Sequence, residues 1–415
     1  MKAKIAKLPV PSLSQEILLW EDEYQRLVSD GISFREAQEE ERWRSTVKLN
    51  LDEHEVNLRE REFIGGVITF EIFHQPPQPK YLRYKHDVTL LREPPRLQPV
   101  EYQVTLPSAK HDGGTDEDRL LRKRRDVQGA RKEDLIFVSL NLPQSVLWLE
   151  IPDIALWNNE KQYWSTEFIH EQYYDDEDGR LTFKTGCIGL FGFHISRFCN
   201  LPYKDWRLES DGKGGVNFYL KADKITLNFN IKDDKVCLSS VEDVPSSPID
   251  SIFNTYYIPI KLVQVMKSFG VNVFPEIDTH FYLPDSISKH GVCERFVYQI
   301  WGIFSSSFCF KFSKFNRERE RRTMVFQLRE VYDSFDTSFC LIKTTPSEAC
   351  ILDITESAEE YTPRVAPLYK VYTNVYDLIM RNSSTMARRR AEVENFVLIQ
   401  TIRDFLGLVR PLSFS

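Results

Sequence analysis

The most regular pattern of hydrophobic and polar positions runs from Val216 to Leu238. Val216, Phe218 and Leu220 repeat with a period of two. Ile225, Leu227, Phe229 and Ile231 alternate with Thr226, Asn228 and Asn230, and Val236 and Leu238 follow the Asp233-Asp234 pair. A two-residue period puts one face of a strand against a core and leaves the other polar, and paired aspartates turn the chain, so an antiparallel meander is predicted. A second strand-rich stretch spans Phe137 to Trp206, with candidates at Phe137–Leu142, Val146–Leu149, Ile154–Trp157, Phe168–Tyr174 and Leu181–Lys184. Pro143 and Pro152 end two of them, because proline cannot donate to a central ladder. Asp178-Gly179 between the last two is a hairpin signal. Gly186, Gly189 and Gly192 interrupt the following strand and point to a bulge or a close backbone approach. Further upstream, Gly65-Gly66 opens a strand over Val67–Phe73, and Tyr81–Leu91 and Val100–Leu106 are strand candidates that extend the same sheet.

Helical spacing is found at both ends of the chain. Ser14–Ser29 carries Ile17, Trp20, Tyr24, Leu27 and Val28 three and four residues apart, between a capping serine and Asp30-Gly31. Ser33 to Leu51 predicts a second helix with a patchier face. Pro259–Phe269, Cys293–Phe304 (face Phe296, Val297, Ile300, Phe304), Leu368–Met380 and Ala391–Leu406 predict four more. Strands at Phe308–Phe315, Met324–Tyr332, Ser338–Lys343 and Cys350–Ile354 are interleaved with them. The expected fold class is α+β: an N-terminal helical segment over 1–62, a β-rich sandwich-like domain over 63–205, and a C-terminal α+β domain over 206–415. Within the second, residues 108–134 combine few apolar side chains with many charges and predict a flexible insertion.

Composition narrows the function classes. The chain has 415 residues, is 42% hydrophobic and has a net charge of −7, which argues against general nucleic-acid binding. It lacks an 18-residue apolar run, so no membrane partner is expected. Seven cysteines scattered singly, without a C-x-x-C pair or a signal peptide, suggest a reducing cytosolic setting.

Candidate chemistry is sparse. The eight histidines are isolated in sequence, with no H-E-x-x-H, and predict no zinc site. His194 alternates with apolar residues and is expected to be a hydrogen-bonded core or face residue. Asp175–Asp178 lacks the ligand order of a calcium loop and reads as an exposed hairpin tip. Asp211-Gly212-Lys213-Gly214-Gly215 lacks P-loop spacing and reads as a turn, and no G-x-S-x-G occurs. No catalytic residue, cofactor or metal is therefore expected. Tryptophans at alternating strand positions favour a core role over a stacking platform. Three basic runs remain: Arg122–Arg125, Arg317–Arg322 and Arg388–Arg390. Each reads either as a solvated surface or as an attractant for an acidic partner, and Arg122–Arg125 also as a nuclear-import patch.

A resemblance carries the reading further. Trp157 with Trp164 and Thr166, the acidic hairpin, the glycine-containing strand, Leu201-Pro202 with Trp206, the upstream stretch from Phe63 to Lys80 and the closing stretch from Asp404 to Ser415 occur in an order that resembles axonemal dynein intermediate chains of the cancer susceptibility candidate 1 type. It covers Phe63 to Ser415 with a gap near 108–134. Trp20, Tyr24, Asp30 and Gly31 are similar to the family's N-terminal helices, although typical members carry a long charged helical N-terminal half that is here compressed to residues 1–62.

The resemblance implies a non-enzymatic structural subunit or adaptor of inner-arm dynein in the axoneme of cilia and flagella, cytoplasmic before assembly. The implied partners are axonemal dynein heavy and intermediate chains and tubulin in microtubules. Since tubulin tails are acidic, the expected contact is the basic half of the insertion: Arg119, Arg122, Lys123, Arg124, Arg125, Arg131 and Lys132. The alternatives are a cytoplasmic dynein-arm assembly factor absent from the mature axoneme, and a β-sandwich ligand-binding module.

Overall fold

The computed structural model describes Arg35, Gln38, Glu41, Arg42 and residues 50–415, apart from 76–77, 79, 83–85, 89–95, 105–133, 176–177, 245–247, 284–286, 318 and 332–337. The four early residues are helical and exposed, inside the second helix expected from the sequence; the first helix lies outside the described residues. Residues 51–415 form a compact unit.

The unit begins with a β-sandwich. One sheet has the order β1 (Arg61–Phe70), β9 (Gly189–Ser196), β5 (Asp153–Asn158), β6 (Tyr163–Ser165); the other has β4 (Ile136–Asn141), β8 (Arg180–Thr185), β7 (Ile169–Asp175). All pairings are antiparallel. Period-two alternation turns Leu181 and Phe183 of β8 toward Phe191 and Phe193 of β9, and with Ile154, Leu156 and Leu142 they make the sandwich core. The Asp178-Gly179 hairpin forms between β7 and β8.

Several expectations are corrected in this layer. Gly65-Gly66 does not open a strand: it lies inside β1, where the register against β9 shifts between Ile64 and Val67. Gly65 has φ +77°, and a Cβ there would lie 2.8 Å from the Trp148 ring, so the bulge admits the indole. Val146–Leu149 is no strand; it leaves the sheet to place Trp148 on Phe193, and the Leu147 N–H donates to Phe269 O at 2.9 Å. Tyr81–Leu91 is not continuous either. It contains a short pair, β2 (Lys80–Leu82) with β3 (His86–Val88). Val100–Leu106 makes one isolated bridge among its described residues, Gln103 to Cys187, and Pro99 just before it bridges Phe73.

The predicted meander is present and belongs to an eight-stranded antiparallel sheet. Its order is β13 (Lys235–Glu242), β12 (Thr226–Lys232), β11 (Val216–Lys221), β10 (Asp205–Ser210), β14 (Phe308–Lys311), β15 (Met324–Glu330), β16 (Cys340–Thr344), β17 (Ala349–Ile351). Helices α1 (Pro259–Ser268), α2 (Gly291–Phe304), α3 (Val375–Asn382), α4 (Thr385–Glu392) and α5 (Phe396–Val409) contribute buried residues to the large core on this sheet. Trp301 of α2 is enclosed by Trp206, Phe310 and Phe326, with ring centroids 5.0–5.2 Å away. Phe405 of α5 meets Phe218 and Phe229 edge-on. A smaller core of Phe315, Val325, Leu341, Cys350 and Leu352 covers the opposite face, which is why β14 to β17 are buried on both sides.

The helix limits also differ from the expectations. The buried face of α2 carries Glu294, Val297, Tyr298, Ile300, Trp301 and Phe304; Phe296 is 46% exposed. Leu368–Met380 is helical only from Val375, where Asn374 caps the first turn by accepting from Asp377 N–H at 2.9 Å. Ala391–Leu406 is broken: α4 ends at Glu392 and Asn395 caps a new helix through Val397 N–H. Phe308–Phe315 is a short strand followed by a 3-10 turn at Lys314–Asn316.

Candidate interaction surfaces

The basic residues singled out as a partner contact, Arg119, Arg122, Lys123, Arg124, Arg125, Arg131 and Lys132, lie outside the described residues. The segment's flanks are described, and they are pinned to the sandwich. Gln103 bridges Cys187, Val104 N–H donates to Gly186 O at 2.6 Å, and the Tyr102 hydroxyl donates to the Asp134 carbonyl, tying the two flanks together. Gly186 permits this approach, since a Cβ there would stand 2.1 Å from Val104 O.

The other basic runs have different characters. In Arg317–Arg322 the Arg319 guanidinium stacks on Tyr361, 4.0 Å from the ring centroid, and the Arg319 and Arg321 carbonyls accept from Lys289 Nζ and His290 N–H. That run is therefore partly architectural. Arg388 and Arg389 are exposed on α4, with Arg389 and Arg390 in its last turn, where cations complement the negative helix end.

Two motifs that are far apart in sequence meet. In the Leu201-Pro202-Tyr203-Lys204-Asp205-Trp206 stretch, Tyr203 N–H donates to Phe414 O at 2.7 Å and Trp206 Nε1 donates to Ser415 Oγ at 3.2 Å. The stretch Pro411–Ser415 is buried throughout. It is held further by Asn316 Nδ2, which donates to Leu412 O at 2.7 Å, and by Tyr298 Oη, which accepts from Leu412 N–H at 3.1 Å. Beneath it lies an ion pair, Arg410 Nε to Glu294 Oε2 at 3.0 Å, with side-chain exposures of 18% and 2%. The Glu294 carboxylate also accepts from Tyr298 Oη at 2.6 Å and Ser413 Oγ at 2.9 Å. Arg410 Nη2 donates to Ser288 Oγ and the Lys289 carbonyl. Burial pulls the neighbouring Lys289 ammonium down to about 7, and its Nζ donates to Asn316 O at 2.8 Å. These polar groups fasten chain segments to one another.

Two of the thiols are poor nucleophile candidates. Burial, with Glu150 and Glu62 nearby, pushes Cys199 up to about 12, and burial beside Glu209 does the same for Cys309. Among the described residues no three His, Cys, Asp or Glu side chains are placed to hold a metal ion, and no helix is long and apolar enough to cross a membrane.

His194 departs from its expected role. It is buried, at 3% exposure, on the outer side of β9, yet neither ring nitrogen has a hydrogen-bond partner. Burial depresses its pKa to about 4, Asp153 opposing and Arg61 adding to the shift. Phe63 lies against it, 5.2 Å between centroids, and stacks at 4.4 Å on Trp164, which meets Trp157 edge-on at 5.3 Å. Trp157 and Trp164 are thus half-buried and stacked beside Phe63, outside the sandwich core in which they were expected.

Fold and surfaces define a class: an antiparallel α+β scaffold whose buried polar groups are used to lock its own segments together. Residues 160–370 match the family model described as Cancer susceptibility candidate 1 C-terminal. The match takes in more than half of the chain, and the chain belongs to this family. Among curated proteins it is 27% identical over 312 residues to a dynein axonemal intermediate chain 7 homolog of Ciona intestinalis, covering 73% of this chain and 40% of the relative. It is 23% identical to the dynein axonemal intermediate chain 7 of Danio rerio and to that of Homo sapiens, each over 367 residues, covering 88% of this chain and 49% and 48% of those proteins. The chain spans less than half the length of these relatives.

Proposed function

We propose that this chain is a non-enzymatic structural subunit or adaptor of axonemal inner-arm dynein in cilia and flagella. In this reading it supports arm attachment and ciliary motility, associates with dynein heavy and intermediate chains, and resides in the cytoplasm before assembly. The observation that carries the reading is the similarity to proteins named as axonemal dynein intermediate chains over 73–88% of the chain. The internal use of its buried polar groups supports a scaffold over an enzyme.

Tubulin is the proposed second contact, through Arg119, Arg122, Lys123, Arg124, Arg125, Arg131 and Lys132. Each exposed ion pair contributes roughly 0.2–1 kcal/mol, so several acting together give binding that fades as the Debye length shortens from about 10 Å at 0.1 M salt to about 3 Å at 1 M. The test has two arms. Tagged protein in ciliated cells is expected to stay with detergent-extracted axonemes and to leave with dynein in high salt. Full release into the detergent-soluble fraction would instead assign it to arm assembly. Purified protein is expected to co-sediment with microtubules at low salt, less so after removal of the tubulin tails or after Arg122, Lys123, Arg124 and Arg125 are changed to serine. Unchanged sedimentation of the quadruple variant would remove the basic segment from the contact.

A further inference from the structure

A cleft of about 440 Å³ opens at one end of the sandwich, between the segment preceding β1, the start of β5 and the bulged part of β7. His194 is part of its lining and is the buried imidazole whose two nitrogens are both unpartnered. An imidazole in that state has lost its water without gaining a protein partner, which is costly unless something else supplies the hydrogen bond. The remaining lining is strongly acidic: Glu53, Glu55, Glu60, Asp153 and Glu171. The lining holds one guanidinium, that of Arg61, and it is paired with Asp153 at 3.3 Å. Glu171 is presented by the β7 bulge, where the register against β8 shifts between His170 and Tyr173 and Glu171 itself adopts φ +49°; its carboxylate is paired with Lys184 Nζ at 2.5 Å, so the excess negative charge of the cleft comes from Glu53, Glu55 and Glu60. A bulge of this kind redirects a side chain that a regular strand would hold on the other face.

Charge and hydrogen-bond capacity select the ligand. The excess of carboxylates favours a cation. A neutral imidazole held out of water can accept one N–H, and carboxylates around it can accept several more. A guanidinium offers five N–H donors in a planar fork that can bridge such acceptors, whereas an ammonium is a compact point charge. The cleft is also open enough to admit the backbone that presents the side chain. We propose that this cleft binds an arginine side chain presented by an extended basic segment of a partner protein. The assignment is independent of the dynein reading, since it rests on the cleft alone.

The experiment uses the full chain and a fluorescein-labelled Gly-Arg-Gly-Arg-Gly peptide, with a citrulline counterpart that keeps the shape and removes the charge. Fluorescence anisotropy at low ionic strength is expected to show binding at least tenfold tighter for arginine than for citrulline. Glu60 is exposed, so the isosteric change Glu60→Gln is expected to leave the fold intact and to weaken binding about threefold. His194→Leu is expected to weaken it about tenfold. Equal binding of the two peptides, absence of binding, or parent-like affinity in Glu60→Gln and His194→Leu together would overturn the proposal. Removing Lys110–Lys132 is expected to change the affinity by less than twofold. A tenfold gain would show that the chain's own basic segment fills the cleft, and would overturn the assignment to a partner.

Discussion

Arg410→Met removes the guanidinium from the Glu294 pair and is the most direct probe of how the buried stretch Pro411–Ser415 is held. Arg410 sits just beyond α5 in the left-handed conformation, φ +54°. Methionine keeps a non-glycine side chain there, so the backbone cost is the same before and after the change. The substitution deletes the 3.0 Å contact to Glu294 and the contacts to Ser288 Oγ, the Lys289 carbonyl and Ser413 Oγ. It leaves a carboxylate at 2% exposure with hydroxyl donors alone. Breaking a buried pair on one side costs about 3–5 kcal/mol, mostly because the surviving charge is stranded. With an unfolding entropy of about 2.1 cal/mol/K per residue over a unit of this size, about 4 kcal/mol lowers Tm by roughly 5 °C. Differential scanning calorimetry reads that shift. The double variant Glu294→Gln/Arg410→Met removes the stranded charge and is expected to recover about half of the loss. If Arg410→Met costs under about 1 kcal/mol, or the double variant is as unstable as the single one, the carboxylate does not depend on the guanidinium and the reasoning fails.

Three further outcomes follow from named groups. Gly186→Ala is expected to destabilise by about 1–3 kcal/mol, because the new methyl meets the Val104 carbonyl; a thermal melt matching the parent would show that the flank gives way freely. His194 has a folded pKa of about 4 against an ordinary value of 6.5. The unfolded chain therefore binds a proton that the folded chain refuses between those values, and stability present above pH 6.5 is lost as pH falls toward 4, by about 3 kcal/mol. Urea unfolding of His194→Leu is expected to lack that part of the slope, and parallel curves for parent and variant would refute it. Deleting Lys110–Lys132 is expected to leave Tm nearly unchanged, because a stretch with so few apolar side chains has little to bury and loop closure varies slowly with length; a loss of several degrees would show that it is packed.

The strands were legible where one physical signal dominated. Val216 to Leu238 alternates because one face meets the helices and the other is more open to water, and the structure repeats that alternation except at Thr226 and Cys237, which are buried as well. The hairpin at Asp178-Gly179 was legible for a similar reason: the turn chemistry is local. The signal failed where burial was two-sided. Phe308–Phe315 looked like one alternating strand, but a second small core covers the far face and the chain turns after Lys311. It failed again in α2, where Phe296 fits an apolar face on the helical wheel while the structure prefers Trp301 and Glu294 inward. A glutamate on that face is recognisable only when Arg410, over a hundred positions away, is known to pair with it. Helix breaks at Asn374 and Asn395 carried a local signal, a capping side chain, that apolar spacing alone passed over.

The interaction surfaces were less legible than the fold, for a topological reason. The acidic cleft is assembled from the segment around Glu53, the start of β5, a bulge in β7 and one residue of β9. Each piece looks ordinary along the chain, and His194 looks like a packed residue because its neighbours in sequence are apolar. Its lack of a partner depends on what Phe63 and Asp153, its neighbours across two different strand pairs, do not offer. By contrast, the motifs that carry the family resemblance were visible, and their meaning changed in three dimensions. Leu201 to Trp206 and Pro411 to Ser415 were separate pieces of a pattern in sequence; in the fold they are two sides of one contact, joined through Phe414, Ser415, Tyr203 and Trp206. Phe63 and Trp164 likewise come from two pieces and stack on each other. A pattern whose parts touch is explained by packing before it is explained by recognition. The family's sequence signature therefore reports how the scaffold closes, and among the described residues a partner contact is to be sought where the scaffold does not use the side chains: the exposed arginines of α4 and the acidic cleft.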